Sequence, residues 1–236
     1  MILLVTGGSA SGKSEYAENR ALQLAKTEQK KLIYLAAMKP FGVEAAKRIE
    51  RHRQLRAGKG YETVERYTDI EGLCRDESLE AETFRQKAKD AVVLLECMSN
   101  LAANEMFSGS DSDADCTGEF EAMDIRRVKD RIMRGIDALT EVSDHLVIVS
   151  INVFDEGVQQ YDAWTRAYMQ CLGELNQALT RKADTAVEVV YSIPVPYKEG
   201  VTCSLYLLHL PCIRRYQCHG QTGMTKICAM PFVGFR

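Results

Sequence analysis

The chain has 236 residues, of which 46% are hydrophobic and 27% charged, and its formal net charge is −3 at pH 7. This composition is typical of a folded globular protein, and the slightly acidic charge gives no reason to expect nucleic acid as a partner. Because no apolar run reaches the about 20 residues of a membrane-spanning helix and the apolar start MILLV is too short for a signal peptide, we expect a cytoplasmic protein without a membrane span.

Apolar runs alternate with helical patterns along most of the chain. Runs such as AVVLLE (91–96) lack polar alternation, which is typical of strands buried on both faces of a sheet. Strands that alternate with helices predict an α/β fold: a P-loop NTPase-like, mostly parallel sheet with helices on both faces. The predicted strands are 1–6, 31–37, 61–67, 91–96, 145–151 and 186–193, and the predicted helices are 13–28, 43–57, 98–107, 119–142 and 161–182.

Two segments do not follow this alternation. Residues 108–119 form a polar, acidic stretch without apolar periodicity, which indicates a loop. After Gly200 the chain has no clear period and holds four of the eight cysteines. Pro194 and Pro196 argue against another central strand near the end of the predicted sheet. We therefore expect one domain over residues 1–199 and a C-terminal extension, 200–236.

The first predicted strand is followed by the string GGSASGKS, which fits the phosphate-binding pattern G-x-x-x-x-G-K-[ST]. Glycines allow successive backbone N–H groups to turn around a phosphate chain, and the next helix directs its N-terminus at the same anion. The lysine is expected to reach the β- and γ-phosphates and the serine to ligate Mg²⁺. The predicted nucleotide-binding residues are Gly7, Gly8, Ser9, Ala10, Ser11, Gly12, Lys13 and Ser14.

Glu96 ends the buried run VVLLE, at the edge of the predicted sheet where ligands of open α/β folds bind. A P-loop enzyme needs an acid near the metal, and we expect Glu96 to supply it together with Ser14. The alternative is that Glu96 caps the following helix.

The stretch KRIERHRQLR places Arg48, His52 and Arg56 on one face of a predicted helix. Flanking arginines disfavour a charged imidazole, so His52 is expected to be neutral and able to attack phosphorus while the arginines hold phosphate oxygens. From the residues alone, a solvated basic helix face is the stronger interpretation.

Taken together, these motifs resemble the bifunctional adenosylcobinamide kinase / adenosylcobinamide-phosphate guanylyltransferase family of cobalamin biosynthesis. The resemblance runs in order from residue 1 to about residue 195. It is most specific where the P-loop is followed by R-I-x-x-H-x-x-x-R. The matching stretches are VTGGSASGKSEYAE, YLAA, RIERHRQLR, YETVE, VVLLECMSNLAANEMF and ELNQAL.

The resemblance implies an enzyme that phosphorylates adenosylcobinamide with ATP or GTP and then transfers GMP from GTP to the product through a GMP-histidine intermediate. It implies that His52 is the catalytic histidine, that Mg²⁺ accompanies the nucleotide, and that the protein is a homotrimer. Beyond the P-loop, the nucleotide-binding positions that it implies are Ala36, Ala37, Met38, Arg53, Gln54, Leu55, Arg56, Glu65 and Glu96.

Two other functions stay open at this point. One is a P-loop kinase for a different small molecule, and the other is a nucleotide-binding regulator without catalysis. His52 argues against both, since neither needs a nucleophile. In their favour, Val153 and Asp155 stand where the family usually has a glutamate and a glycine.

Overall fold

The computed structural model describes residues 1–40, 42–107, 122–152 and 161–199. Within these ranges it leaves undescribed the side chains of Glu44, Ala45, Arg48, Leu55 and residues 122–124. The acidic segment 108–119, the positions Val153 and Asp155 and the extension 200–236 lie outside the described residues.

Within the described residues, seven strands form a single sheet with the order β3-β2-β4-β5-β1-β6-β7. Strands β1 to β6 pair in parallel, and β7 pairs antiparallel with β6 at one edge. The strands are β1 (Ile2–Thr6), β2 (Lys31–Ala36), β3 (Tyr61–Glu65), β4 (Ala91–Glu96), β5 (His145–Val149), β6 (Thr185–Val190) and β7 (Ile193–Lys198).

Seven helices are described, and most of them connect parallel strands. They are α1 (Lys13–Glu28), α2 (Gly42–Arg56), α3 (Ile70–Arg75), α4 (Leu79–Ala88), α5 (Met98–Phe107), α6 (Ala122–Val142) and α7 (Ala163–Lys182). Among them, none combines the length and apolar character that crossing a membrane would require.

The sheet separates two hydrophobic clusters. One cluster joins Ala17, Ala21 and Leu24 of α1 to strand side chains such as Leu3 and Tyr34. The other joins the opposite side of the strands to residues of α3 to α7. Alternation along each strand sends successive side chains to opposite faces, so the continuous apolar runs fill both clusters. The predicted α/β class, with a mostly parallel sheet and helices on both faces, is confirmed.

The prediction was wrong at the end of the sheet. The last predicted strand, 186–193, is instead β6, which ends at Val190, followed by a turn and the edge strand β7. Pro194 and Pro196 lie in β7. A proline lacks the N–H that a central strand needs, but an edge strand is paired on one side only and tolerates it. The helices α3 and α4 were not predicted at all.

This topology brings the ends of four elements together. The carboxyl ends of β1, β2 and β4 meet at one edge of the sheet, and the helix after β1 starts there. Because β4 pairs with both β2 and β5, Glu96 at its end lies beside the backbone of Ala36 and Val149.

Candidate active site

The loop between β1 and α1 is folded by two glycines with positive φ, Gly7 at 151° and Gly12 at 90°. A β-carbon on Gly12 would lie 2.7 Å from the Ser192 hydroxyl oxygen, and one on Gly7 would collide with the Val189 carbonyl. The loop backbone is also held by the Ser192 N–H, which donates to the Ser11 carbonyl at 2.8 Å. Packing against the end of β6 therefore sets the shape of the loop.

Lys13 is the first residue of α1, and its side chain turns back over the loop. Its Nζ donates a hydrogen bond to the Gly8 carbonyl at 2.9 Å. Burial lowers the pKa of the Lys13 ammonium, while the nearby Glu96 carboxylate acts in the opposite direction. The lysine is thus held across the concave side of the loop, close to an acid.

The Glu96 carboxylate has a partner on each oxygen. Ser14 Oγ donates to Oε1 at 2.5 Å, and the Tyr34 hydroxyl donates to Oε2 at 3.0 Å. Burial, and then the Glu96 charge, raise the pKa of Tyr34 well above its usual range, so the tyrosine remains a donor. Glu96 is only 8% exposed. Its hydrogen bond with Ser14 joins the two residues predicted to serve the metal.

His52 approaches the same carboxylate from α2. Its Nδ1 lies 3.9 Å from Glu96 Oε1 and has no hydrogen-bond partner among the described residues, although the atom is buried. The sequence placed only arginines beside this ring, and that picture was incomplete. The structure adds carboxylates from α1 and β4, Glu18 and Glu96, each with an oxygen within 4.8 Å of a ring nitrogen.

Arg56 ends α2 and lies flat on an aromatic ring. Its guanidinium carbon is 3.4 Å from the centroid of the Tyr34 ring, a cation–π contact. The residue is 7% exposed, and Nη1 is buried without a hydrogen-bond partner among the described residues. A buried guanidinium nitrogen left unpaired is unfavourable in the free protein and is suited to an anionic ligand.

A shallow cleft of about 490 Å³ opens beside this arginine, between the end of α2 and β3. Arg53 lines it and donates to Glu65 at 3.1 Å. The Tyr67 hydroxyl donates to the other Glu65 oxygen at 2.7 Å, and the pKa of Tyr67 is raised to about 12, first by burial and then by this bond. Glu65 is therefore held beside Arg53, which lines the cleft.

The comparison with protein-family models matches residues 3–197 to the model "Cobinamide kinase / cobinamide phosphate guanyltransferase". The chain belongs to this family. The resemblance inferred from the motifs is thus confirmed over nearly the whole of the predicted domain.

The match covers almost the full length of three curated relatives in the family. The bifunctional adenosylcobalamin biosynthesis protein CobU of Escherichia coli is 31% identical over 199 residues, which is 84% of this chain and 100% of that protein. The protein of the same name in Salmonella typhimurium is 28% identical with the same coverage. The corresponding CobP of Pseudomonas aeruginosa is 26% identical over 83% of this chain and 96% of its own.

Two of the solved structures that this chain matches share little sequence identity with it. The flagellar accessory protein FlaH of Methanocaldococcus jannaschii is 11% identical, with a TM-score of 0.41, and the match covers 84% of this chain and 78% of that one. The ATPase domain of G40P is 10% identical with a TM-score of 0.40, covering 79% and 68%.

The other family positions lie around the same edge of the sheet. The Ala37 N–H donates to the Glu96 carbonyl at 3.0 Å, and the Ala36 carbonyl accepts from the Arg66 N–H at 3.0 Å. Met38 follows directly, half-buried. Gln54 is exposed on α2 and donates to Glu50 at 3.0 Å. The side chain of Leu55 is not among those described.

Four residues that were not among the predicted site residues lie beside this site. Glu18 is 2% exposed and pairs with Lys59 at 2.7 Å. The Tyr61 hydroxyl donates to the Glu18 carbonyl at 2.9 Å, and the Tyr61 ring meets the Tyr34 ring edge-on. A glutamate on the buried side of α1, four residues after the P-loop serine, was the signal available for Glu18. Tyr34 gave no such signal, because an aromatic residue in a buried strand is ordinary core.

Proposed function

We propose that this protein is a bifunctional enzyme that phosphorylates cobinamide and then transfers a guanylyl group to cobinamide phosphate. The main observation in support is that one carboxylate, Glu96, lies next to both the P-loop and the histidine. Its Oε1 is 2.5 Å from Ser14 Oγ and 3.9 Å from His52 Nδ1. A P-loop regulator needs the first contact only. The second supports a catalytic histidine, because an imidazole nitrogen without a hydrogen-bond partner in the described part of the chain lies beside the acid that contacts the P-loop.

In this proposal the P-loop binds the triphosphate. The backbone N–H groups from Gly8 to Lys13 surround the β-phosphate, as in other loops of this pattern. The Lys13 ammonium exchanges the Gly8 carbonyl, 2.9 Å away, for phosphate oxygens. A charge-assisted bond of this kind is roughly twice as strong as a neutral one, which favours the exchange when nucleotide is present.

The residues of the site fit a magnesium ion. Mg²⁺ prefers hard oxygen ligands, and the Ser14 hydroxyl and the Glu96 carboxylate form such a pair. When bound with the nucleotide, the ion neutralises charge on the phosphates. Tyr34, which donates to Glu96 at 3.0 Å, keeps the carboxylate in place.

For the kinase reaction, the cobinamide hydroxyl attacks the γ-phosphorus of ATP or GTP, and the nucleoside diphosphate leaves. This transfer depends on positioning and on electrostatic stabilisation by Lys13 and the P-loop amides, and it needs no covalent enzyme intermediate.

For the guanylyl transfer, we propose that a nitrogen of His52 attacks the α-phosphorus of GTP, forming a phosphorus–nitrogen bond and releasing pyrophosphate. An oxygen of cobinamide phosphate then attacks the same phosphorus and frees the imidazole. Arg56 supports this assignment, because its buried Nη1 has no hydrogen-bond partner within the described ranges and the residue follows His52 by about one turn of α2. Arg53 and Glu65 are proposed to hold the guanosine end, with Gln54, Leu55, Ala36, Ala37 and Met38 nearby.

We also propose that the protein is an oligomer, with a homotrimer as the specific expectation. The β6–β7 hairpin supports an oligomer, because it exposes large apolar side chains, among them Tyr191 at 91% and Ile193 at 64%. Such a patch is typical of a protein–protein contact. Light scattering of the full chain tests the trimer: a monomer at micromolar concentration would exclude it.

The test of the function is conversion of adenosylcobinamide, followed by chromatography. The wild-type protein should produce first the phosphate and then the GDP derivative, and Lys13→Ala should lose both by at least about 100-fold, since the P-loop serves both steps. Lys26→Ala is the matched control, as an exposed lysine in the last turn of the same helix.

Two outcomes would contradict the proposal. If Lys13→Ala binds GTP with wild-type affinity, the P-loop does not hold the nucleotide. If the wild-type protein binds nucleotide but leaves adenosylcobinamide unchanged, the corrinoid is not its substrate, and the kinase with a different substrate or the regulator takes precedence.

A further inference from the structure

Three side chains from three elements meet beside the P-loop. Glu18 comes from α1, His52 from α2 and Glu96 from β4, and one ligand atom of each lies within 4.8 Å of the other two. Glu18 and Glu96 are 2% and 8% exposed, while the His52 side chain is 23% exposed and open to entry from solvent. One nitrogen and two carboxylate oxygens therefore face a common point.

The hydrogen bonding of this cluster is incomplete in the free protein. His52 Nδ1 is a buried atom with no hydrogen-bond partner among the described residues. Its separation of 3.9 Å from Glu96 is too long for a hydrogen bond. Glu18 Oε2 accepts a hydrogen bond from Lys59 Nζ at 2.7 Å. A buried imidazole nitrogen that lies 3.9 Å from a carboxylate oxygen without a hydrogen bond to it requires an explanation.

We propose that these three side chains bind a divalent transition-metal ion of the Zn²⁺ class when no nucleotide is present. Imidazole nitrogen favours zinc and its neighbours over magnesium, and one histidine with two carboxylates leaves a fourth position for water. The site shares Glu96 with the proposed magnesium position but uses the His52 nitrogen in place of the Ser14 hydroxyl, so the two ions would not be bound together.

The spacing suits such an ion after a small closure. With metal–ligand bonds of about 2.1 Å, two ligand atoms of a tetrahedral ion lie about 3.4 Å apart. The distance of 3.9 Å from His52 Nδ1 to Glu96 Oε1 exceeds this by about 0.5 Å. The widest separation in the cluster, at most 4.8 Å, exceeds it by at most about 1.4 Å, and we expect rotation of the His52 side chain to close this gap.

Neighbouring cations limit the affinity. Lys59 Nζ lies 2.7 Å from Glu18, and Lys13 is close enough to Glu96 to be affected by its charge. An incoming cation competes with both ammonium groups. Removal of the Lys59 charge should therefore strengthen metal binding, which is opposite in sign to the effect of removing a ligand.

The bound ion would hold the lone pair with which His52 attacks phosphorus. Metal and covalent guanylylation should therefore exclude each other. This consequence rests on the proposed function, whereas the metal site itself rests on the geometry alone.

The direct test is equilibrium dialysis of the nucleotide-free full chain against Zn²⁺. Wild type should bind one Zn²⁺ ion more than His52→Ala and Glu18→Gln, or bind the same ion at least about tenfold more tightly. Loss of a residue that hydrogen-bonds to a metal ligand already weakens metal binding about tenfold or more, and loss of the ligand itself should weaken it at least as much. Zinc that binds elsewhere, for example at cysteines, should be the same in every variant and cancels in the comparison. Glu15→Gln, an exposed acid on α1, is the matched control, and Lys59→Met should bind more tightly than wild type.

Equal zinc binding by wild type, His52→Ala and Glu18→Gln would overturn the site. A second assay follows covalent labelling from α-labelled GTP with and without prior Zn²⁺. Labelling that Zn²⁺ slows in wild type and leaves unaffected in Glu18→Gln agrees with the proposal. Zinc binding at the site without any labelling would retain the metal site and remove the guanylyl transfer, so the two failures are distinguishable.

Discussion

Gly12 shows how one residue couples the P-loop to the turn between β6 and β7. Its φ of 90° lies in the left-handed region, and a β-carbon there would meet both the hydroxyl and the Cα of Ser192, at 2.7 and 3.3 Å. Gly8, by contrast, has open space on the side where a β-carbon would point. The two loop glycines therefore serve different purposes, Gly12 for packing and backbone shape and Gly8 for access.

Gly12→Ala should lower the free energy of unfolding by about 1–3 kcal/mol, because a non-glycine residue is strained in this conformation and Ser192 must move. Gly8→Ala should change it by less than about 1 kcal/mol, although nucleotide binding weakens in both. Urea denaturation of the two variants checks this difference. Equal stability of Gly12→Ala and wild type would mean that the loop is not constrained by the β6–β7 turn.

Among the site residues, the sequence predicted those that belong to short local motifs. The glycines, Lys13 and Ser14 lie within eight residues, and Glu96 followed from its position after four apolar residues. Glu18, Tyr34 and Lys59 were not found in this way, because they take part through contacts with residues 41 to 62 positions away. His52 came from a helical pattern, but the carboxylates around it depend on the packing of α2 against α1 and β4.

The β6–β7 hairpin is the element in which prediction and structure differ most. β7 covers the open edge of β6, and Lys198 Nζ donates to the carbonyls of Thr180 and Arg181 at the end of α7. The prolines of β7 argued against a strand in this segment, but that argument applies only to a central strand. Helices α3 and α4 had signals that were overlooked, since Asp69 and Ser78 accept from the N–H groups of Gly72 and Ala81 as N-caps.

Truncation separates the hairpin from the extension that follows it. A chain ending at Lys198 should be soluble and melt close to the full-length temperature, because β7 is retained. A chain ending at Ser192 should melt more than about 8 °C lower, since the buried side chains of Val187 and Val189 and the free edge of β6 become exposed. Calorimetry of both chains is the measurement. A comparable drop in the longer chain would show that residues 199–236 belong to the core, against the predicted domain boundary.

The molecule as a whole places helices α1 and α2 on one face of the sheet and α3 to α7 on the other, with the candidate site at the edge between them. Ion pairs at the surface join neighbouring elements, mainly within the layer of α3 to α7. Glu71 on α3 accepts from Arg75 and Arg134, Lys30 pairs with Asp144, and Lys129 pairs with Glu174. Their contribution to the free energy of unfolding depends on pH and salt, because the charged groups are at least partly exposed.

Hydrogen bonds from Arg134, Lys30 and Lys129 hold the pKa values of Glu71, Asp144 and Glu174 below their usual range. Because folding lowers these pKa values, the stabilisation is present above the unfolded values near 4 and is lost as the pH falls through the folded ones. The melting temperature should therefore decline below about pH 4.5, and less steeply in Glu71→Gln. Thermal melts from pH 3 to 7 at low and at about 1 M salt check this. A decline of the same slope in Glu71→Gln would remove Glu71 from the explanation.

The central claim is that one chain performs two reactions and that His52 serves only the second. Incubation with α-labelled GTP tests it most directly, with wild type, His52→Ala and His145→Ala compared. His145 is a suitable control because it pairs with Glu28 at 2.7 Å, at the opposite end of the sheet. Wild type and His145→Ala should carry an acid-labile, alkali-stable label, as expected for a phosphorus–nitrogen bond. His52→Ala should carry none and still phosphorylate adenosylcobinamide. A label that persists in His52→Ala, or its absence from wild type, would contradict the account.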